Sequence, residues 1–163
     1  MTFLRTKNWE LVREVLTHPK LYGHMTDDFA PARETFEVNR HPAIWYVLAV
    51  EGTRLLGMFC FFPENDICWA AHAALLRRVP PALTRKAGRE VVAWLWEHTA
   101  CRRLTASVPE CNRAAVRYGL DEEGMHLRPY GINEKSFLKD GKLWDQILMG
   151  RSRPGGVTQC HRS

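Results

Sequence analysis

The chain has 163 residues, 45% of them hydrophobic, 10% aromatic and 25% charged, with a formal charge of +5 and a pI near 9.1. One domain with one core suffices at this length and composition. No apolar run reaches the ~20 residues of a membrane span, and residues 1–7 lack the apolar core of a signal peptide, so the expected location is the cytoplasm. Arg151, Arg153 and Arg162 lie in the last thirteen residues, and without them the charge is only +2. That balance does not point to a nucleic-acid binder.

In chain order, residues 2–5 read as a short edge strand. Asn8 is placed to cap a helix carrying Leu11, Val12, Val15 and Leu16 at helical spacing, which ends before Pro19. Residues 22–41 are rich in Gly, Asp, Pro and charge, with a short helix expected near 32–36. This long connection either folds over a ligand as a lid or packs as a plain linker. Residues 44–50 and 55–62 are β-branched and aromatic, flanking a tight turn at 51–54, and residues 67–76 complete an antiparallel meander. The apolar strand 58–62 is a candidate surface for pairing with a second copy, as a homodimer.

An amphipathic helix is expected over residues 82–98, with Ala87, Val91, Trp94 and Leu95 on one stripe and Arg85, Lys86, Arg89 and Glu90 outside. The strand that follows, 103–109, must then run parallel to 67–76 through a right-handed crossover. Asn112 opens a second helix. Residues 125–138 and 143–149 form a closing hairpin around a turn at 139–142. One domain is expected over 1–150, with a flexible basic tail over 151–163.

The five cysteines, Cys60, Cys68, Cys101, Cys111 and Cys160, show no zinc-ligand spacing, so no metal site is expected. Cys60 and Cys68 read as buried thiols. Cys111 stands just before a helix start, where a thiolate is favoured. Trp45 and Trp69 read as core or pocket wall. His72 lies mid-strand among alanines, either as a base or as a satisfied core histidine. Tyr118 is either a proton donor or a packing residue.

The order helix, antiparallel strands, helix, strand, helix, hairpin resembles the GNAT N-acetyltransferases. The residues that carry the likeness are Ala93-Trp94-Leu95-Trp96-Glu97-His98-Thr99, Val108-Pro109-Glu110-Cys111-Asn112-Arg113-Ala114-Ala115, and the hairpin from Phe137 to Gly150. That hairpin is similar to the branch acting on ribosomal-protein N-termini, and the whole, in particular His18-Pro19, Asp27-Asp28 and Trp69 through Leu76, resembles small GNAT-like proteins of phages and prophages. The resemblance implies an α+β fold: a mixed, mostly antiparallel sheet flanked by helices, with a parallel central strand pair splayed at the cofactor site. It implies transfer of an acetyl group from acetyl-CoA to a primary amine, on a small molecule or a protein N-terminus, in the bacterial host cytoplasm if the chain is phage-encoded. The alternative it leaves is a catalytically degenerate GNAT-fold phage protein serving as a binding or virion-associated module.

The implied catalytic residues are Tyr118, protonating the thiolate, and His72. The implied cofactor-binding residues are Leu75, Leu76, Arg77, Arg78, Val79, Ala82, Leu83, Thr84, Arg85 and Asn112. The GNAT loop pattern Arg/Gln-x-x-Gly-x-Gly/Ala fits two registers. Arg85-Lys86-Ala87-Gly88 matches its first four positions but shortens the helix. A loop at 78–83 gives the helix its usual length but removes both glycines, with Pro81 and Leu83 at their positions and Pro80 beside them. The second register is preferred. Proline has no N–H to offer a phosphate, which leaves the amides of Val79, Ala82, Leu83 and Thr84 and the charges of Arg77, Arg78 and Arg85.

Overall fold

The computed structural model describes residues 1–76 and 78–155. Seven strands form one sheet in the order β1-β2-β3-β4-β5-β7-β6. The strands are β1 (Thr2–Thr6), β2 (Trp45–Glu51), β3 (Arg54–Pro63), β4 (Cys68–Leu75), β5 (Arg103–Pro109), β6 (Arg128–Lys139) and β7 (Lys142–Ser152). The helices are α1 (Trp9–Leu16), α2 (Tyr22–Met25), α3 (Pro81–His98) and α4 (Arg113–Leu120), with a single 3-10 turn at Arg33–Thr35. Every strand pairing is antiparallel except β4 with β5.

Local chemistry accounts for most boundaries. Asn8 accepts from the Leu11 amide at 3.1 Å and starts α1, and Asn112 accepts from Ala115 at 3.2 Å and starts α4. These bonds satisfy amides that the first helical turn leaves unpaired. Pro81 opens α3, a position where its fixed φ fits and its missing N–H costs nothing. Strand alternation sends Phe59 and Phe61 into the core under α3, and Met58 and Cys60 into the core under α1.

The seam between β4 and β5 organises the molecule. It holds only three residue pairs, Cys68 with Arg103, Trp69 with Leu104 and Ala70 with Thr105. Past them β4 stays paired to β3, β5 stays paired to β7, and their inner edges separate into a V. Gly57 supports the β4 side: its φ is 144°, and a Cβ there would lie 2.7 Å from the Leu75 Cα, so β3 presses against the end of β4.

Several expectations need correction. The strand 58–62 lies inside β3, flanked by β2 and β4, so it has no free edge with which to pair a second copy. The four-residue α2 was not foreseen, because its leading residue Leu21 makes no side-chain cap. Residues 125–127 precede β6 rather than belonging to it. β7 runs past Met149 to Ser152, where the Arg153 guanidinium donates to the Trp96 carbonyl at 2.9 Å. Residues 156–163 of the expected tail, Cys160 among them, lie outside the described residues. Cys60 is buried, but Cys68 is only half-buried, with its thiol donating to Glu64 at 3.0 Å. Trp45 and Trp69 meet edge to face at 5.4 Å in the core under α3, away from the V. Among the described residues no helix is long and apolar enough to cross a membrane.

Candidate active site

The V is a cavity of about 460 Å³ that passes between the sheet halves. His72 and Leu75 line it from β4, Ala106 to Pro109 from β5, Asn112 and Tyr118 from α4, and Thr84 from α3. Leu21, His24 and Met25 roof it, and Phe137 and Gln146 close it from the hairpin. No Asp, Glu, Lys or Arg lines it among the described residues.

His72 and Tyr118 reach the cavity from opposite faces of the sheet. Ala74, two residues on from His72, belongs to the core under α1, so alternation puts His72 on that face. There its ring meets Phe62 edge to face at 5.1 Å. The ring has open surface because it lines a cavity, yet protein surrounds that cavity, and this desolvation lowers its pKa from the ordinary 6.5. His72 is therefore a neutral imidazole at pH 7.

Tyr118 lies on the α3 face, packed against that core. Its hydroxyl donates to the Thr84 carbonyl at 3.1 Å, and burial, then the charge of Asp121, raises its pKa. It stays protonated. Gly88 of α3 makes room for it, since a Cβ at Gly88 would lie 2.7 Å from the Tyr118 Oη. The glycine that one loop register would assign to a phosphate turn thus sits mid-helix, clearing space for a hydroxyl.

Seven strands in this order, a short parallel seam opening into a V, and a crossover helix beside it describe a known architecture. No family model matches the chain, and no curated protein matches it. Solved structures do. Spermidine N-acetyltransferase from Vibrio cholerae, in complex with CoA and spermine, superposes with a TM-score of 0.74 at 13% identity, covering 93% of this chain and 94% of that one. An acetyltransferase of the GNAT family from Streptococcus pneumoniae gives 0.68 at 15% identity, covering 93% and 99%. Ribosomal-protein-alanine N-acetyltransferase from Brucella melitensis gives 0.65 at 14%, covering 94% and 100%. The chain has the GNAT fold. At these identities the likeness is one of fold.

The GNAT fold brings some of the expected site residues together and separates others. His72, Leu75, Thr84, Asn112 and Tyr118 share the cavity. Leu76, Arg78 and Val79 line a different, neighbouring cleft. Ala82, Leu83 and Arg85 line neither of these two. Arg77 lies outside the described residues.

The loop amides are largely engaged: Val79 donates to the Leu76 carbonyl at 3.1 Å, Leu83 to Pro80 at 3.0 Å and Thr84 to Pro80 at 3.1 Å. The two bonds to Pro80 begin α3 once Pro81 occupies its first position, and the bond to Leu76 closes the turn before it. The Leu76 amide donates to Leu56 at 2.9 Å. Alternation then directs the Leu75 and Ala73 amides to the other edge of β4, into the V.

The basic residues of α3 are also engaged. Arg85 is paired with Asp121 at 2.9 Å and Glu123 at 3.1 Å, and Lys86 with Glu51 at 2.9 Å. The Arg89 guanidinium donates to the Glu123 carbonyl at 3.0 Å. A solvated helix face with local acids beside its cations explains these charges.

Of the 22–41 connection, offered as a lid or a linker, only His24 and Met25 roof the cavity, together with Leu21, and the hairpin wall was not anticipated. Asn112 is the link that sequence reasoning half found. While its Oδ1 caps α4, its Nδ2 donates to the His24 carbonyl at 2.9 Å and ties the roof to the helix. The far side of the roof is tied to the β6–β7 turn. Asp28 accepts from the Asp140 and Gly141 amides at 2.9 and 2.8 Å, its own amide donates to Leu138 at 3.0 Å, and Lys139 Nζ donates to the Thr26 carbonyl at 3.0 Å. Asp27-Asp28 was visible in the sequence, but its partners lie more than a hundred residues away.

Proposed function

We propose that this protein is an N-acetyltransferase that moves an acetyl group from acetyl-CoA to a primary amine, on a small molecule or a protein N-terminus, in the cytoplasm. The observation that carries the reading is the V, which holds a neutral imidazole on one face of the sheet and a protonated phenol on the other. The neighbours' activities toward spermidine and ribosomal-protein alanine support an amine acceptor.

The reactive end of acetyl-CoA fits this cavity. Its unpaired β4 edge offers the Leu75 and Ala73 amides to an amide-bearing arm, as an added strand would be received, and its walls are apolar. Bound there, acetyl-CoA would supply the acetyl group as a thioester. The Leu75 amide, pointing into the V, is a donor for a carbonyl oxygen gaining charge. His72, neutral at pH 7, accepts the proton of the amine, directly or through a water. Tyr118 holds a proton at Oη and can deliver it to a departing thiolate. Leu21 and Met25 exclude water from above.

The phosphate end fits less well, since Pro80 and Pro81 offer no N–H and three other amides are engaged within the loop. This observation favours a second reading, a GNAT scaffold that binds a partner without catalysis. Calorimetric titration with acetyl-CoA, followed by thiol release in the presence of an amine panel, separates the two. Micromolar binding with amine-dependent thiol release is the expected result. No binding by the parent, with binding gained on Pro80→Gly/Pro81→Gly, would replace the enzyme by the scaffold.

A further inference from the structure

Beside the V lies a second cleft, of about 430 Å³, bounded by His18, Lys20, Arg54 and Arg78 over an apolar floor that includes Leu76 and Val79. The basic side chains come from three parts of the fold: His18 and Lys20 from the connection between α1 and α2, Arg54 from the start of β3 and Arg78 from the loop before α3. Among the described residues the lining contains no acid. Among the described residues none of the four is ion-paired, whereas Arg85 and Lys86 nearby are both matched by carboxylates. Gathering like charges around one concavity is unfavourable unless an anion neutralises them.

Two of the four are held in place. The Arg54 guanidinium donates to the carbonyl of Arg78, which fastens the β3 start to the loop. The Lys20 amide donates to His18 Nδ1 at 3.3 Å, which leaves Nε2 as the ring's donor. Two guanidinium groups, an ammonium and an imidazole N–H form a donor set without an acceptor. Planar guanidinium forks match phosphate oxygens in particular.

We propose that this cleft is a phosphate-binding site, formed by Arg54, Arg78, Lys20 and His18, for a phosphorylated or pyrophosphorylated ligand. Two sources share that chemistry. The cleft borders the V at consecutive residues, Lys20 with Leu21 and Leu76 with Leu75, so a ligand seated in the V could place its diphosphate here in place of the engaged loop amides. The other source is a separate phosphate ester. Only the first rests on the acetyltransferase reading.

The test is calorimetric titration of the full chain with pyrophosphate at low ionic strength. Saturable one-to-one binding is expected. It should weaken at least about tenfold in Arg54→Gln/Arg78→Gln, and also in Lys20→Gln, because each removes charge-assisted bonds. It should stay unchanged in Arg117→Gln and fall as salt is added. The substituted side chains are exposed, so the variants should keep the parent's circular dichroism. Absence of saturable binding, or equal binding by parent and variants, overturns the proposal.

Coenzyme A then distinguishes the sources. If it displaces pyrophosphate, and the double variant loses affinity for coenzyme A but not for pantetheine, the phosphates are those of the co-substrate. If coenzyme A and pyrophosphate bind together, the ligand is a separate phosphate ester. If pyrophosphate binds and coenzyme A does not, the acetyltransferase reading fails while the cleft stands.

Discussion

Gly88 offers a sharp test of how α3 and α4 build the site. Replacing it by alanine should help an isolated helix by about 1 kcal/mol. Here, however, the new Cβ would stand 2.7 Å from Tyr118 Oη, 3.0 Å from Met125 Cγ and 3.1 Å from the Met125 backbone nitrogen. A phenol and a thioether can swing aside, but a backbone nitrogen gives little. Overpacking of this kind costs about 1–3 kcal/mol, and displacing the hydroxyl from Thr84 forfeits roughly another 1 kcal/mol. The opposing terms leave Gly88→Ala destabilised by about 1–3 kcal/mol, or several degrees in Tm at this chain length. Because Tyr118→Phe removes the nearest atom, adding Gly88→Ala to the Phe variant should cost at least about 1 kcal/mol less than adding it to the parent, a coupling within the range seen for touching residues. Urea unfolding of the four proteins measures this cycle. Equal cost on both backgrounds, or a net gain in stability from Gly88→Ala alone, would refute the packing argument. In the transfer assay, Gly88→Ala should lower kcat nearly as far as Tyr118→Phe, since both take the hydroxyl from its place.

The remaining predictions concern the base and the roof. His72→Gln should slow transfer by roughly 10²–10⁴-fold. Because desolvation lowers the His72 pKa, the acid limb of the parent's kcat/KM profile should fall below pH 6.5 and vanish in the variant. Asn112→Asp should keep α4 stable, because a carboxylate still caps it. It loses the donor to His24, so KM should rise with little change in Tm, while Asn112→Ala should lower both stability and affinity. The Asp28 carboxyl is held below its usual 3.8 by the Gly141 and Asp140 amides. A depressed pKa means that its contribution is full above the unfolded value and is lost as pH falls through the folded one. The protection of the Asp28, Asp140 and Gly141 amides, relative to their intrinsic exchange rates, should therefore fall below about pH 4, and Asp28→Asn should show the lower protection already at neutral pH.

What could be read from the sequence was what neighbouring residues decide. Asn8 and Asn112 announce helix starts because a side-chain oxygen needs only the amide three residues on. The 82–98 helix shows itself by its stripe, and its start shows in Pro81, which suits a first helical position and not a second-turn one. Hidden features depend on partners far along the chain. Nothing in residues 67–76 or 103–109 reveals that only three pairs join those strands. Nothing around Gly88 signals a phenol thirty residues later. His72 was recognisable as chemistry, but its exposure to a cavity depends on a roof contributed by Leu21 to Met25, a stretch with neither cap nor periodicity.

The brief seam between β4 and β5 has a mechanical meaning. It divides the sheet into two plates, β1–β4 and β5–β7, hinged along three residue pairs and strapped by α3 and by the roof ties. A molecule laid along the V would bond to an inner edge and bridge plates whose strands pair only at one end. Its occupant would then act as mortar, adding about 2.7 kcal/mol of resistance to unfolding at a concentration of 100 Kd. Stiffness across the plates would rise and fall with the supply of that occupant, making the protein's own durability a gauge of it.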